Sequence, residues 1–227
     1  MDNNLIKKHW DGTIILVIFI LICLLIFSLD GITSELDEKV LDWDKLRDAI
    51  KGYDVNPTED NAKAILEIIP EEMPEKEYGN IDRALDYIID ESPRFLKHVV
   101  SGNSYLAEAA FRLYFIVLPG HVSEELHISL SRMLVKKPAL YLSLLKKYKS
   151  QFPSYLEYPL LMTEILEIVP DINNEEDEKK MDLTEIALYK ERIRALETVD
   201  NEEYLALKKE CINILQAEID KLKKQLK

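Results

Sequence analysis

Two histidines, His121 and His127, bracket Glu124 and Glu125 in the stretch HVSEELH, and imidazole beside carboxylate is the donor set of a zinc site. The spacing argues against it. Zinc hydrolases hold their metal with histidines four apart on one helical face, whereas residues six apart on a helix point in different directions. His121 also follows Pro119-Gly120, which predicts a turn there. The pair therefore reads as an ordinary helix start with carboxylates in its first turn. His98 falls in the apolar stripe of Phe95, Leu96, Val99 and Val100, which predicts a partly covered helix residue.

A calcium loop is the next chemistry to weigh. In DINNEEDEKKMD, Asp171, Asn173 and Glu175 occupy positions one, three and five. The match then breaks down, because position six is Glu176 where the sharp turn needs Gly, and position twelve is Asp182 where a bidentate Glu is usual. An acidic surface loop from Asp171 to Glu178 is the expectation. Nucleophilic catalysis has no local signature: G-x-S-x-G is missing, Cys211 lies in a Lys/Glu-rich amphipathic stretch, and neither phosphate-cradling glycine loop occurs. Among 42 acidic residues no pair stands out. The expectation is no enzyme, no cofactor and no metal, with an enzyme assembled from residues distant in sequence as an alternative.

Charge distribution is more informative. From Leu126 to Leu156 there is no acidic residue, while Arg132, Lys136, Lys137, Lys146, Lys147 and Lys149 supply six cations in a chain whose net charge is -13. Tyr141, Tyr148, Phe152, Tyr155 and Tyr158 are interleaved with or follow the lysines. Two readings stand side by side. Arg132, Lys136, Lys137, Lys146, Lys147, Tyr148 and Lys149 could form a surface for anionic lipid headgroups, an anionic wall polymer or an acidic protein. Alternatively, the lysines are a solvated face or complement the chain's own acidic segments across neighbouring helices. Nucleic acid is excluded as the expected partner, since backbone binding needs a net basic surface.

The elements that would position these residues begin with Thr13 to Leu29, seventeen residues without a charge, a Pro or a Gly. At ~1.5 Å rise per residue they span roughly 26 Å, close to the bilayer's hydrocarbon core. Lys7 and Lys8 precede the run, and Asp30, Glu35, Asp37 and Glu38 follow it. That asymmetry puts residues 1–12 in the cytoplasm and the rest outside. A signal peptide shares this order, and Ile32-Thr33-Ser34 is a tolerable cleavage site. The run is longer than most such leaders, so 13–29 is expected as a retained anchor, with a cleaved leader as the alternative. Cys23 lies inside the run, which leaves Cys211 as the single exported thiol, expected to be buried.

Beyond the run the chain reads as all α, because apolar positions recur at three and four and no alternating pattern appears. Helices are expected from Thr33 or Ser34 to Lys51, ended by Gly52; from Pro57-Thr58 to Pro70; from Asn80; from Ser92-Pro93; from Ser104 to Leu118; and from Ser123, Pro138 and Pro159. PEEMPEKEYG, from Pro70 to Gly79, is expected as a loop. A rhythm of one short helix about every twenty residues predicts stacked antiparallel pairs over residues 30–181, and it resembles HEAT and armadillo solenoids without a diagnostic motif of either. Ile65 to Pro70, ILEIIP, returns as ILEIVP at Ile165 to Pro170, a candidate internal repeat.

Residues 182–227 contain no Pro or Gly and predict one or two long helices with a joint at Asp200-Asn201. Leu205, Lys208, Ile212, Leu215, Ile219, Leu222 and Leu226 follow heptad spacing. This seam predicts either docking on the chain's own domain or a homodimer through Ile212, Leu215, Ile219 and Leu222. Taken together, the sequence predicts a membrane-anchored extracytoplasmic helical interaction or scaffolding module of the cell envelope. A secreted or periplasmic accessory protein is the alternative if the leader is cut.

Overall fold

Four helices start where a short polar side chain satisfies one of their unpaired amides. In the computed structural model, which describes residues 41–71, 87–116, 121–151, 159–161, 163 and 175–226, Asp42 caps α1 (Trp43–Val55) by accepting from the Lys45 amide at 3.0 Å. Thr58 caps α2 (Glu59–Ile68) through the Asn61 amide at 3.3 Å. Ser92 accepts from the Phe95 amide at 3.2 Å ahead of α3 (Phe95–Ser101). Asn103 accepts from the Leu106 amide at 3.1 Å in α4 (Ser104–Ile116). Then follow α5 (His121–Lys136), α6 (Pro138–Tyr148), α7 (Glu175–Glu197) and α8 (Leu205–Gln225). A π-helical turn at Tyr87–Glu91 and short 3-10 turns at Lys149–Gln151 and Glu202–Tyr204 complete the described chain, in which there is no strand.

Several expected boundaries shift, and the first expected helix does not run unbroken from Thr33 or Ser34, because Asp42 is extended and caps a helix that begins at Trp43. Gly52 does not end α1, which continues to Val55 because Tyr53, 1% exposed, extends the buried stripe of Leu46 and Ile50. Pro93 precedes α3 rather than opening it; the Ser92 hydroxyl still supplies the cap. His121 is already helical in α5 rather than in a turn. Pro159 and Leu160 form a turn, not a helix start. Glu175 to Glu178, expected in a loop, make the first turn of α7, where carboxylates are favoured by the positive end of the helix dipole. The joint between α7 and α8 is where it was expected, with Asn201 accepting from the Glu203 amide at 2.9 Å.

Packing is local and regular. Among the described helices, from α2 onward each touches the next but one: α2 meets α4, α3 meets α5, α4 meets α6, α5 meets α7 and α6 meets α8. Short connections bring α1 onto α2, α3 onto α4, α5 onto α6 and α7 onto α8. The start of α4 meets the start of α2 through Tyr105 to Glu59 at 3.2 Å. Arg112, further along α4, reaches the carbonyl of Ile69 at the end of α2 at 2.9 Å. Those two helices therefore run the same way. At the centre, Phe111 packs edge-on to Tyr141 with centroids 5.8 Å apart and stacks on Tyr148 at 6.2 Å.

The C-terminal helix docks on its own domain. Leu207, Cys211, Ile214, Leu215 and Ile219 are buried in α8, while Ile212 and Leu222 are half-buried and Leu205 is 58% exposed. Burial, with the charge of Glu210, pushes the Cys211 thiol up to about 12, so it stays protonated. No helix among the described residues is long and apolar enough to cross a membrane. The run from Thr13 to Leu29, the part of the first expected helix that precedes Leu41, the Asn80 cap, the Pro70 to Gly79 loop beyond Glu71 and the second hexapeptide at Ile165 to Pro170 lie outside the described residues.

Two glycines separate cleanly. Gly102 ends α3 in the left-handed region at φ 85°, with the Asn103 amide donating to His98 at 3.0 Å, and a Cβ there would meet the Lys137 stem at 2.3 Å. Gly52 lies inside α1 with nothing within 4 Å of an added Cβ. Gly102→Ala should therefore lose about 1 kcal/mol or more, whereas Gly52→Ala should gain up to about 1 kcal/mol. Urea titration of the two variants measures both signs; loss of stability by Gly52→Ala would contradict the reading.

Candidate functional site

Helix α6 opens with Pro138, whose missing amide costs nothing at that position, and buries Tyr141, Leu142, Leu144, Leu145 and Tyr148. That face consumes Tyr141 and Tyr148, while Phe152, Tyr155 and Tyr158 lie outside the described residues. Lys146 and Lys147 are left on the solvent side of the last turn, where cations suit the helix's negative end.

Each of these cations finds a carboxylate on a neighbouring element. Lys146 pairs with Glu203 at 2.8 Å, and Lys149 pairs with Glu210 on α8. Lys147 reaches both Glu71, at 2.6 Å, and Glu108 on α4, at 2.9 Å. The Lys147 contact belongs to a larger clasp. Arg112 donates to Glu108 at 2.7 Å, to the Tyr148 hydroxyl at 2.9 Å and to the Ile69 carbonyl at 2.9 Å. Tyr148 in turn donates to Glu108 at 2.7 Å. The Arg112 and Glu108 side chains are only 12% and 20% exposed. Burial alone would raise the Glu108 carboxyl, but the hydrogen bonds from Arg112, Tyr148 and Lys147 outweigh it and hold the group below its ordinary range. Lys147 is raised: burial opposes its charge, and the bonds to Glu71 and Glu108 prevail.

The structure thus divides the residues that the sequence grouped together. Lys146, Lys147 and Lys149 are in ion pairs within the chain. Tyr148 is 1% exposed, with its ring in the core, and Arg132 is half-buried on α5. Lys136 and Lys137 are exposed at the α5–α6 joint and make no ion pair among the described residues. They line an open groove of about 800 Å³ whose opposite side is the α7–α8 joint, Thr198 to Glu202.

The other sequence candidates are dispersed. His127 is buried in α5 with its ring edge against Tyr114, centroids 5.0 Å apart, while Glu124 is exposed. Glu175 and Glu176 are exposed in the first turn of α7, and Asp171 and Asn173 lie outside the described residues. Among the described residues no cluster of His, Cys, Asp and Glu is arranged to hold a metal.

Two buried polar groups escaped the sequence reading. Arg192, 2% exposed, donates to the carbonyl of Leu160 and to the Ser131 hydroxyl at 3.1 Å, and lies 5.7 Å from the centre of the Tyr189 ring. It ties the 159–161 turn to α5 and α7. The available signal was spacing, since Ile186, Tyr189, Arg192 and Leu196 share one helical face. The second group is Tyr53, whose hydroxyl hydrogen-bonds to Nδ1 of His98, with the rings edge-to-face at 5.6 Å. With the imidazole neutral, Tyr53 donates and Nδ1 accepts. Burial lowers the His98 pKa, and the charges of Lys97 and Arg94 lower it further against the pull of Asp54.

Two outcomes follow. Arg112→Leu should cost about 2–3 kcal/mol, because it takes one of three donors from a half-buried carboxylate and removes the donor to the Ile69 carbonyl, while Lys146→Ala should cost no more than ~1 kcal/mol. Since the folded Glu108 pKa is depressed, its contribution is present above the ordinary carboxylate range and disappears as pH falls through the lowered value. Glu108→Gln should flatten stability in that acid range, as read by denaturant titration across pH. His98 has the same sign nearer neutrality. Below its ordinary value of 6.5 the unfolded chain takes the proton first, so stability should fall from pH 7 towards the lowered folded value. His98→Gln should remove that slope, and an unchanged slope would exclude His98 as its source.

No protein-family model, no curated protein and no solved structure matches this chain.

Proposed function

We propose that the protein is a membrane-anchored interaction or scaffolding module of the cell envelope, in which Thr13 to Leu29 is the anchor and the helical domain lies outside. The observation that carries the reading is the packing order among the described helices, in which short-linked neighbours pack together and, from α2 onward, each helix also meets the next but one. Such an order resembles that of HEAT- and armadillo-like solenoids, which stack helix pairs and present extended concave binding surfaces. Support for the location comes from the charge-free run with lysines before it and acidic residues after it. An exported accessory protein with a cleaved leader is the second reading, favoured by the tolerable cleavage site at Ile32-Thr33-Ser34.

One experiment tests both parts. The full chain carrying a C-terminal tag is cross-linked in intact cells, and membranes are then isolated. The expected result is a tag that is accessible to external protease, sediments with the membrane and migrates in a complex larger than the chain. A protected tag, or an uncross-linked monomer at every dose, would overturn the proposal. An intact mass beginning at Glu35 would replace the anchor with a cleaved leader.

A further inference from the structure

The groove at the α5–α6 joint brings together charges that make no ion pair among the described residues. On one side are Lys136 and Lys137, on the other Asp200 and Glu202, with Pro138, Leu140 and Val199 among the apolar residues lining it. All four charged residues are exposed, and none makes an ion pair among the described residues. This contrasts with Lys146, Lys147 and Lys149, every one of which has found a carboxylate across a helix boundary. Within the groove, lysines and carboxylates face the same space without closing on each other.

Both walls are built from backbone that is already held. On the first wall the Lys137 amide donates to Met133 at 2.7 Å, and the Tyr141 amide donates to Lys137 at 3.0 Å. The Lys137 stem lies over Gly102. On the second, the Val199 amide donates to Leu196 at 3.0 Å, and the Val199 carbonyl accepts from Lys208 at 2.7 Å. The Asn201 side-chain oxygen accepts from the Glu203 amide at 2.9 Å, which leaves its NH2 group for another acceptor. Little ordering would be needed on binding, and the volume of about 800 Å³ is within the usual range of ligand sites.

We propose that this groove docks an extended peptide segment of mixed charge, with an acidic side chain against Lys136 and Lys137, a small apolar one over Leu140, and a basic one against Asp200 and Glu202. Charge complementarity selects that occupant. A polyanion such as a lipid surface or wall polymer would gain the lysines and be repelled by the carboxylates, and a polycation would meet the reverse. The Asn201 amide offers a donor to a peptide carbonyl. The inference rests on the reading of the chain as an interaction module and gives that module a partner chemistry.

The test uses the full chain in detergent and three capped, fluorescein-labelled peptides. One has two glutamates, a leucine, an alanine and two lysines; in the second the lysines are replaced by glutamates, and in the third the glutamates by lysines. Anisotropy should show the mixed peptide binding most tightly and weakening with salt. K136E/K137E should lose about tenfold for the mixed peptide and prefer the all-basic one, and D200K/E202K should shift preference to the all-acidic one. All four positions are exposed, so unchanged melting curves are expected for both variants. No binding of the mixed peptide, equal binding of all three, or undiminished binding by both variants would overturn the proposal. So would wild-type self-association that either variant abolishes, since the occupant would then be a second copy. If the cellular complex persists with both groove variants, the groove fails as the docking site while the module reading stands.

Discussion

A single carboxylate oxygen, Oε1 of Glu108, receives the Arg112 guanidinium, the Tyr148 hydroxyl and the Lys147 ammonium. Through it the end of α2, the middle of α4 and the end of α6 are held together, because Arg112 also donates to the Ile69 carbonyl and Lys147 also pairs with Glu71. A carboxylate this well covered is costly to desolvate, and only several charge-assisted bonds at once compensate. The geometry therefore depends on all three elements being in place together. It also sets the rotation of α6, since Tyr148 must point inward for its ring to stack on Phe111 and its hydroxyl to join the clasp.

That rotation decides what the basic window can do. With Tyr141 and Tyr148 turned into the core, the lysines of the last turn of α6 project towards the acidic residues of α4 and of the segment entering α8. Three of the window's six cations, Lys146, Lys147 and Lys149, are neutralised from within. What stays open is the joint before α6, where Lys136 and Lys137 face a second joint carrying Asp200 and Glu202. A region that looks uniformly cationic in sequence is mixed in space, since the groove it lines carries carboxylates on its other side.

Much of the fold was legible because helices are specified locally. Thr58, Ser92, Asn103 and Asn201 act as capping side chains where short polar residues precede apolar stripes, and Pro138 opens α6 as its type predicts. The misjudged boundaries were those where burial overrode local preference. Gly52 is tolerated because Tyr53 is buried one residue later. Glu175 to Glu178 look like a loop by composition but gain from the helix dipole once α7 is formed. The C-terminal heptad was a correct period with a different covered face: Cys211 and Ile214 join Leu215 and Ile219 against α6 and α7, and Leu205 is left exposed.

By itself, the sequence determined the all-helical class and the unequal placement of charge, since periodicity, capping and composition are properties of neighbouring residues. It could also show that Lys136, Lys137, Lys146, Lys147 and Lys149 belong to a stretch without a carboxylate. Tertiary structure decided which of those lysines have partners. Glu71, Glu108, Glu203 and Glu210 come to them from as many as 76 positions away, as Lys147 to Glu71 does, and no local pattern encodes which side of a helix will face which carboxylate. Helix packing makes that choice through the burial of Tyr148, Phe111 and their neighbours, and the charges then pair, or stay apart across the groove, according to where the packed backbones hold them.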